Sequence, residues 1–300
     1  MTGPATAAIG LGLVLDRLMG EPPERSHPVV WLGAVVDWLD REWGNPAVAG
    51  LLVALTVPLA AGLLAAGVVA AALTVGRLPG IVVAGTVLFT TVSLRSLVAA
   101  GTDVISESSV DVAAAATGAR ALVGRETTTL GPAALRSAAV ESVAENLADG
   151  LVGPLFAFAL GGLVSLPVAA GAAVWVKGVN TLDSMLGYHT HPMGRASARL
   201  DDVVAWIPAR LSAVLVALAA GRPSAVLDAG RWANAPSSPN SGWPMATMAA
   251  VLDVSLVKPG GYALNPGRGL PTEERALAGV TVVHRAGLLA FLLAGVVAWW

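Results

Sequence analysis

Apolar and polar positions alternate in long blocks along this chain rather than at the short period of a soluble fold. No charged residue occurs between Pro46 and Gly76, nor between Asp149 and Lys177, and a shorter uncharged run lies between Arg77 and Arg95. A membrane-crossing helix needs about 20 apolar residues, so the first two runs are long enough and the third is near the limit. The pattern predicts a first helix over 1–18, a polar loop with an amphipathic piece over 19–46, and two apolar helices over 47–74 and 79–97. Residues 111–123 and 132–148 are Ala-rich with spaced charges and read as two amphipathic helices. An apolar stretch over 150–176 is interrupted by Gly161, Gly162 and Pro167. Residues 203–221 are apolar but carry Pro208 and Arg210, residues 222–279 are polar and rich in Pro, Gly, Ser and Asn, and 280–300 close the chain with a helix ending in two tryptophans.

Composition agrees with these blocks. Apolar residues make up 55% of the chain, charged residues only 13%, and mean hydropathy is +0.70, which places the chain in the membrane class. The expected fold is all-α: a polytopic integral membrane protein with five to six membrane helices, amphipathic helices and long polar loops, forming a single domain over 1–300. The N-terminal apolar run is short, contains Asp16 and lacks a basic leader region, so it reads as a retained helix. Net charge is −2, which offers no field for nucleic acid. Cysteine is absent, which excludes disulfides, thiolate catalysis and thiolate metal sites.

Charge placement sets a topological problem. With simple crossings, residues 16–46, 95–149 and 222–285 share one face, which carries 13 of the 18 Lys and Arg residues and is therefore expected to be cytoplasmic. The charged segment from Lys177 to Arg210 would then fall on the opposite face. Two arrangements avoid this. Residues 150–176 can form a broken or re-entrant hairpin, or residues 177–210 can enter a polar cavity, where irregular backbone is tolerated.

Four constellations carry candidate chemistry, one of them Leu15-Asp16-Arg17 with Gly20-Glu21-Pro22 and His27-Pro28 to Gly33, where Asp16 at the end of an apolar helix suits a structural cap or pair as well as it suits function. Lys177, Asn180, Asp183, His189, His191, Arg195, Arg199, Asp201 and Asp202 crowd between two apolar runs, and charge beside hydrocarbon is costly enough to point to function. Lys177 suits a phosphate as a point charge, and Arg195 and Arg199, four apart, suit bidentate contacts to phosphate or carboxylate. Two histidines alone are a weak metal signal. Glu141, Glu145 and Asp149 recur at i, i+4, i+8. This spacing puts three carboxylates on one helical face, where they repel one another, and a divalent cation such as Mg²⁺ would relieve this. A Gly- and Pro-bounded loop with Asn240 and Ser241 offers small donors for an anion. No P-loop and no Gly-x-Ser-x-Gly elbow is present.

Taken together, these motifs resemble a known family. The segments Asp16 to Glu21, His27-Pro-Val-Val-Trp-Leu-Gly33, Glu141-Ser-x-x-Glu-Asn-x-x-Asp-Gly150, Lys177-x-x-Asn-Thr-Leu-Asp-Ser-Met-x-Gly187, Gly194-Arg-Ala-Ser-Ala-Arg-x-Asp-Asp202 and Ser238-Pro-Asn-Ser-Gly-Trp-Pro244 are similar to those of the adenosylcobinamide-phosphate synthases, the CobD/CbiB family of cobalamin biosynthesis. Met193 departs from the aromatic residue expected before the Gly-Arg pair. The resemblance spans nearly the whole chain. It implies a multi-pass enzyme of the cell membrane, its active site facing the cytoplasm, that uses ATP and Mg²⁺ to join adenosylcobyric acid to (R)-1-aminopropan-2-ol or its O-phosphate through an amide, with other late cobalamin-pathway enzymes as partners beside membrane lipid. Under this reading Glu141, Glu145 and Asp149 hold Mg²⁺. Lys177, Asp183, Asp201 and Asp202 are catalytic, and Asn180, His189, His191, Arg195, Arg199, Asn240 and Ser241 bind substrate or phosphate. Two other readings of the same charges are a Mg²⁺-dependent transferase of lipid diphosphates and a transporter of an anionic solute.

Overall fold

The computed structural model describes residues 3–123, 126–187 and 192–300. In chain order its helices are α1 (Pro4–Met19), α2 (Pro28–Leu39), α3 (Pro46–Val75), α4 (Arg77–Phe89), α5 (Leu94–Glu107), α6 (Val112–Val123), α7 (Pro132–Leu147), α8 (Gly153–Gly162), α9 (Leu166–Leu186), α10 (Arg195–Val204), α11 (Trp206–Ala219), α12 (Ala225–Ala229), α13 (Gly242–Leu252) and α14 (Glu273–Val297). Between α13 and α14 lies one antiparallel hairpin of β1 (Leu256–Lys258) and β2 (Tyr262–Leu264), with Val257 opposite Ala263. The fold is all-α apart from this hairpin. Four stretches among the described residues are long and apolar enough to cross a membrane: Pro46–Val75, Arg77–Glu107, Pro132–Gly162 and Glu273–Val297. A fifth is obtained if α10 and α11, bent by 48°, count as one. That is four or five where the sequence suggested five or six.

The chain forms two compact units. The first comprises residues 1–93, 149–205 and 290–300, and the second 94–148 and 206–289.

In the first unit α3 lies along α9. Their backbones meet at Gly62 and Gly171, where a Cβ on either residue would come within 2.9 Å of the other's carbonyl oxygen. Small residues allow such close approach where hydrocarbon supplies no hydrophobic drive between helices. Elsewhere α3 exposes Leu51, Leu52, Leu55, Leu59, Leu63 and Leu64. An apolar surface of this extent suits lipid. The helix begins on Asn45, whose side chain accepts from the Val48 amide at 3.2 Å. Val36, Val53, Leu182, Leu186 and Met193 form a core that ties α2, α3 and α9 to the turn before α10. The apolar stretch 150–176 is broken at the Gly-Gly and Pro positions: α8 ends at Gly162, and α9 restarts on Ser165, whose hydroxyl accepts from the Val168 amide. α8 packs along α9, so the chain leaves at Asp149 and returns at Lys177, close enough for the two charges to interact.

In the second unit α7 departs from its amphipathic reading. Every residue from Ser137 to Ala144 is buried, so α7 is enclosed on all sides by neighbours that include α5, α6, α13 and β1. Alanine and serine make the helix thin enough for this, and its few polar groups find partners inside. The polar segment 222–279 also conceals α13, which is buried at every position except Trp243. Two arginines serve its C-terminal carbonyls, Arg222 donating to Ala250 O and Val251 O (3.2 and 2.9 Å) and Arg275 to Leu252 O (3.1 Å). Cations at this end also meet the negative end of the helix dipole.

Candidate functional site

The first unit holds the principal cluster. Lys177 lies halfway along α9, half-buried, with no hydrogen bond or ion pair among the described residues, and it interacts electrostatically with Asp149 and Glu21. Burial pushes its ammonium below the usual lysine range, and the two carboxylates oppose the shift. Asn180, one turn further along α9, acts through its side chain on Asp201 of α10, favouring its carboxylate form. Asp201 also feels the charges of Asp149, Asp183 and Asp202. Three elements therefore bring one cation, one amide and four carboxylates into a common neighbourhood. All four of the expected catalytic residues, Lys177, Asp183, Asp201 and Asp202, are in it. Arg195 and Arg199 stand on α10 as expected, exposed and one turn apart. His189 and His191 lie outside the described residues.

Asp149 reaches this cluster through a π-turn, Ala148–Val152. One extra residue per turn is a recurrent device for re-aiming a side chain at a functional site. The same turn is held by the Ser93 amide, which donates to Gly150 O at 3.2 Å. The ladder Glu141, Glu145, Asp149 is broken by this turn, and Glu141 and Glu145 belong to the second unit while Asp149 belongs to the first. Among the described residues no three His, Asp or Glu side chains form a group that would hold a metal ion. What fits is the mode Mg²⁺ commonly uses, with one or two carboxylates and the remaining positions filled by phosphate and water.

Glu141 has a structural role inside the second unit. It is 4% exposed, its Oε1 accepts from the Ser137 hydroxyl (3.0 Å), and its Oε2 accepts from the Tyr262 hydroxyl (2.8 Å). Ser137 in turn accepts from the Val257 amide of β1 at 2.9 Å. A Glu141→Ala substitution strands two hydroxyls and is expected to destabilise by about 1–3 kcal/mol, whereas Tyr262→Phe removes one bond and costs about 1 kcal/mol. Thermal unfolding of the two variants measures the difference. Equal and negligible shifts would remove Glu141 from this role.

The Asn240 loop is also built differently from a cradle for an anion. The amides of Asn240 and Ser241 both point at the Ser238 hydroxyl (3.2 and 3.4 Å). Asn240 Oδ1 accepts from Arg210 at 2.7 Å, and the same guanidinium donates to Pro239 O and Trp206 O. Its centre sits 4.4 Å from the Trp206 ring and 5.3 Å from that of Trp243. This clasp folds the Ser-Pro-Asn-Ser-Gly-Trp segment onto α11.

Part of the constellation between Asp16 and Gly33, Glu21 with His27, also meets Lys177 in the first unit. Lys177 opens into a cavity of about 280 Å³ lined also by Glu21, Glu24, His27, Thr90, Thr91 and Ser93. These residues come from the α1–α2 connection and from the break between α4 and α5. Burial, reinforced by Lys177, keeps the His27 imidazole below the usual histidine range against the pull of Glu21, and its Nδ1 accepts from the Val29 amide at 3.2 Å. That leaves the neutral ring with its proton on Nε2.

Comparison with known proteins follows this geometry. The family model described as CobD/Cbib protein matches residues 9–288. A probable cobalamin biosynthesis protein CobD of Methanothrix thermoacetophila is 37% identical, covering 94% of this chain and 93% of its own. The cobalamin biosynthesis protein CobD of Rhodobacter capsulatus is 37% identical, covering 95% and 96%. A probable CobD of Thermococcus kodakarensis is 38% identical, covering 88% and 86%. No solved structure matches the chain. With a family-model match over residues 9–288 and relatives 37% identical over nearly the full length, the chain belongs to the CobD/CbiB family.

Proposed function

We propose that this protein acts in cobalamin biosynthesis as an amide synthase of the cell membrane, its site facing the cytoplasm, and that it joins a propionate carboxyl of adenosylcobyric acid to (R)-1-aminopropan-2-ol or its O-phosphate. The single observation that carries this reading is the convergence of Lys177, Asn180, Asp149, Asp183, Asp201 and Asp202 in one unit of a family member. A carboxylate is a poor electrophile and needs activation before an amine attacks it. With ATP as co-substrate, the carboxylate oxygen takes the γ-phosphoryl group and ADP leaves. The amine nitrogen then attacks the acyl carbon, phosphate departs, and one proton is lost from nitrogen. Lys177 meets the phosphate charge that moves through these steps. A carboxylate of the Asp201–Asp202 pair accepts the proton that frees the amine. Asn180 holds Asp201 in place. Mg²⁺, bound by one or two of the carboxylates, would supply neutralisation of phosphate charge. Arg195 and Arg199 are suited to the corrinoid's acidic groups or to phosphate.

The test is synthesis by purified protein in detergent, given adenosylcobyric acid, aminopropanol phosphate, ATP and Mg²⁺, with product read by mass. A gain matching one amide, dependent on each component, is the expected result. Diphosphate release without a corrinoid would instead indicate transfer of a lipid diphosphate, and vesicle uptake without covalent change would indicate transport.

A further inference from the structure

The cavity beside Lys177 has a composition that selects its ligand. At about 280 Å³ it falls just under the lower bound of about 300 Å³ for drug-sized ligand pockets. That size suits a molecule of a few carbons and one phosphate. Its polar lining has two characters. On the donor side stands the Lys177 ammonium, which has no ion-pair partner among the described residues, and a buried cation left so is costly. With it are the Nε2–H of His27 and the Ser93 hydroxyl, for which the described residues supply no partner. On the acceptor side stand the exposed carboxylates Glu21 and Glu24. The hydroxyls of Thr90 and Thr91 join them, because both protons are already donated to the helix carbonyls Val87 O and Leu88 O at 2.8 Å and only lone pairs remain.

An anion alone would leave the carboxylates repelling it, and a cation alone would leave Lys177 unpaired. We propose that this cavity is the binding site of a small zwitterionic phosphomonoester, its phosphate held by Lys177, His27 and Ser93 and its ammonium by Glu21. Resting on the functional reading above, this makes it the seat of the amino-alcohol phosphate, delivered to the cluster around Asp149 and Asp201 by the one residue common to both, Lys177. It also assigns roles to Glu21, His27 and Ser93 and selects the phosphorylated form of the amine.

The decisive experiment is calorimetric binding to the detergent-solubilised full chain with three probes: (R)-1-aminopropan-2-ol O-phosphate, isopropyl phosphate, which lacks the amine, and 1-aminopropan-2-ol, which lacks the phosphate. The wild type is expected to bind the first at least about tenfold more tightly than either fragment. Glu21→Gln, at an exposed position that leaves the fold intact, is expected to weaken the first probe about tenfold while isopropyl phosphate is unmoved. Ser93→Ala is expected to weaken both phosphate probes and not the plain amine. A Glu21→Gln protein that binds all three as the wild type does, or all three equally worse, overturns the assignment. Binding needs no catalysis, so the two readings fail separately. Probe discrimination without amide synthesis would sink the synthase and leave the pocket. Synthesis in which Glu21→Gln leaves the KM for the amine phosphate unchanged would sink the pocket and leave the synthase.

Discussion

Replacing Lys177 with methionine is expected to lower kcat/KM for amide synthesis by about 10²–10³-fold while leaving the protein folded. The size follows from what the side chain faces. It is half-buried beside a cavity, it has no hydrogen bond or ion pair among the described residues, and the nearest opposing charges, Asp149 and Glu21, act on it only at longer range. A cation held that way stabilises the resting protein little, so its removal should change stability by no more than about 1 kcal/mol. Its worth appears when phosphate charge develops next to it in a site screened from water, where one fixed donor contributes about 2.7–4 kcal/mol to the barrier. Methionine keeps the apolar stem and discards only the charge. Lys177→Arg restores charge but presents a planar fork in place of a compact ammonium, so only partial recovery is expected. Thermal unfolding and steady-state kinetics on the same preparations separate the cases. A Lys177→Met enzyme with more than a tenth of wild-type kcat/KM would remove this residue from the chemistry. One that melts far below the wild type would make the residue a structural element.

The parts of the fold legible in the sequence were those written as uninterrupted periodicity. α3, α6 and α7 fall within a few residues of the apolar and Ala-rich runs that announce them, and the break between α8 and α9 falls where Gly161, Gly162 and Pro167 placed it. The cluster around Lys177 was legible because charge between apolar runs is rare. Three things were not legible, each for a physical reason. The carboxylate ladder presumed a helix of constant pitch, and nothing in Glu-Asn-Leu-Ala-Asp-Gly signals the π-turn at Ala148–Val152. α13 sits in a Pro-, Gly- and Ser-rich segment whose composition reads as loop. It is helical because its walls are supplied by α7 and α11, and its last carbonyls by Arg222 and Arg275. The cavity draws Glu21, His27, Thr90, Thr91 and Ser93 to Lys177 from three distant stretches, a juxtaposition that spacing along one chain does not encode.

Gly50→Ala is the second substitution with a large expected effect, and it acts on the site through packing alone. A Cβ at Gly50 would collide with the carbonyl of Met193, with the carbon and Cα of that residue also inside van der Waals distance. Backbone cannot swing aside as a side chain does. The α3 surface and the Met193–Gly194 turn must therefore separate, and Met193 belongs to the core that joins α3 to α2 and α9. Overpacking of this kind costs about 1–3 kcal/mol. The larger consequence is positional. Gly194 is the N-cap of α10, so a shift of the turn carries Asp201 and Asp202 with it and loosens the Asn180–Asp201 interaction. Misplacement by about 1 Å is enough to cost about 10²-fold in rate. The matched control lies in the same helix: Gly67 is exposed, and a Cβ there meets nothing within 4 Å. Gly67→Ala is therefore expected to be neutral or stabilising by up to about 1 kcal/mol, since alanine is the better helix former. Activity and unfolding temperature measured on both alanine variants test whether α10 is positioned from Gly50. If Gly50→Ala matched Gly67→Ala in both, the close approach of α3 to Met193 would not be what sets the carboxylates opposite Lys177.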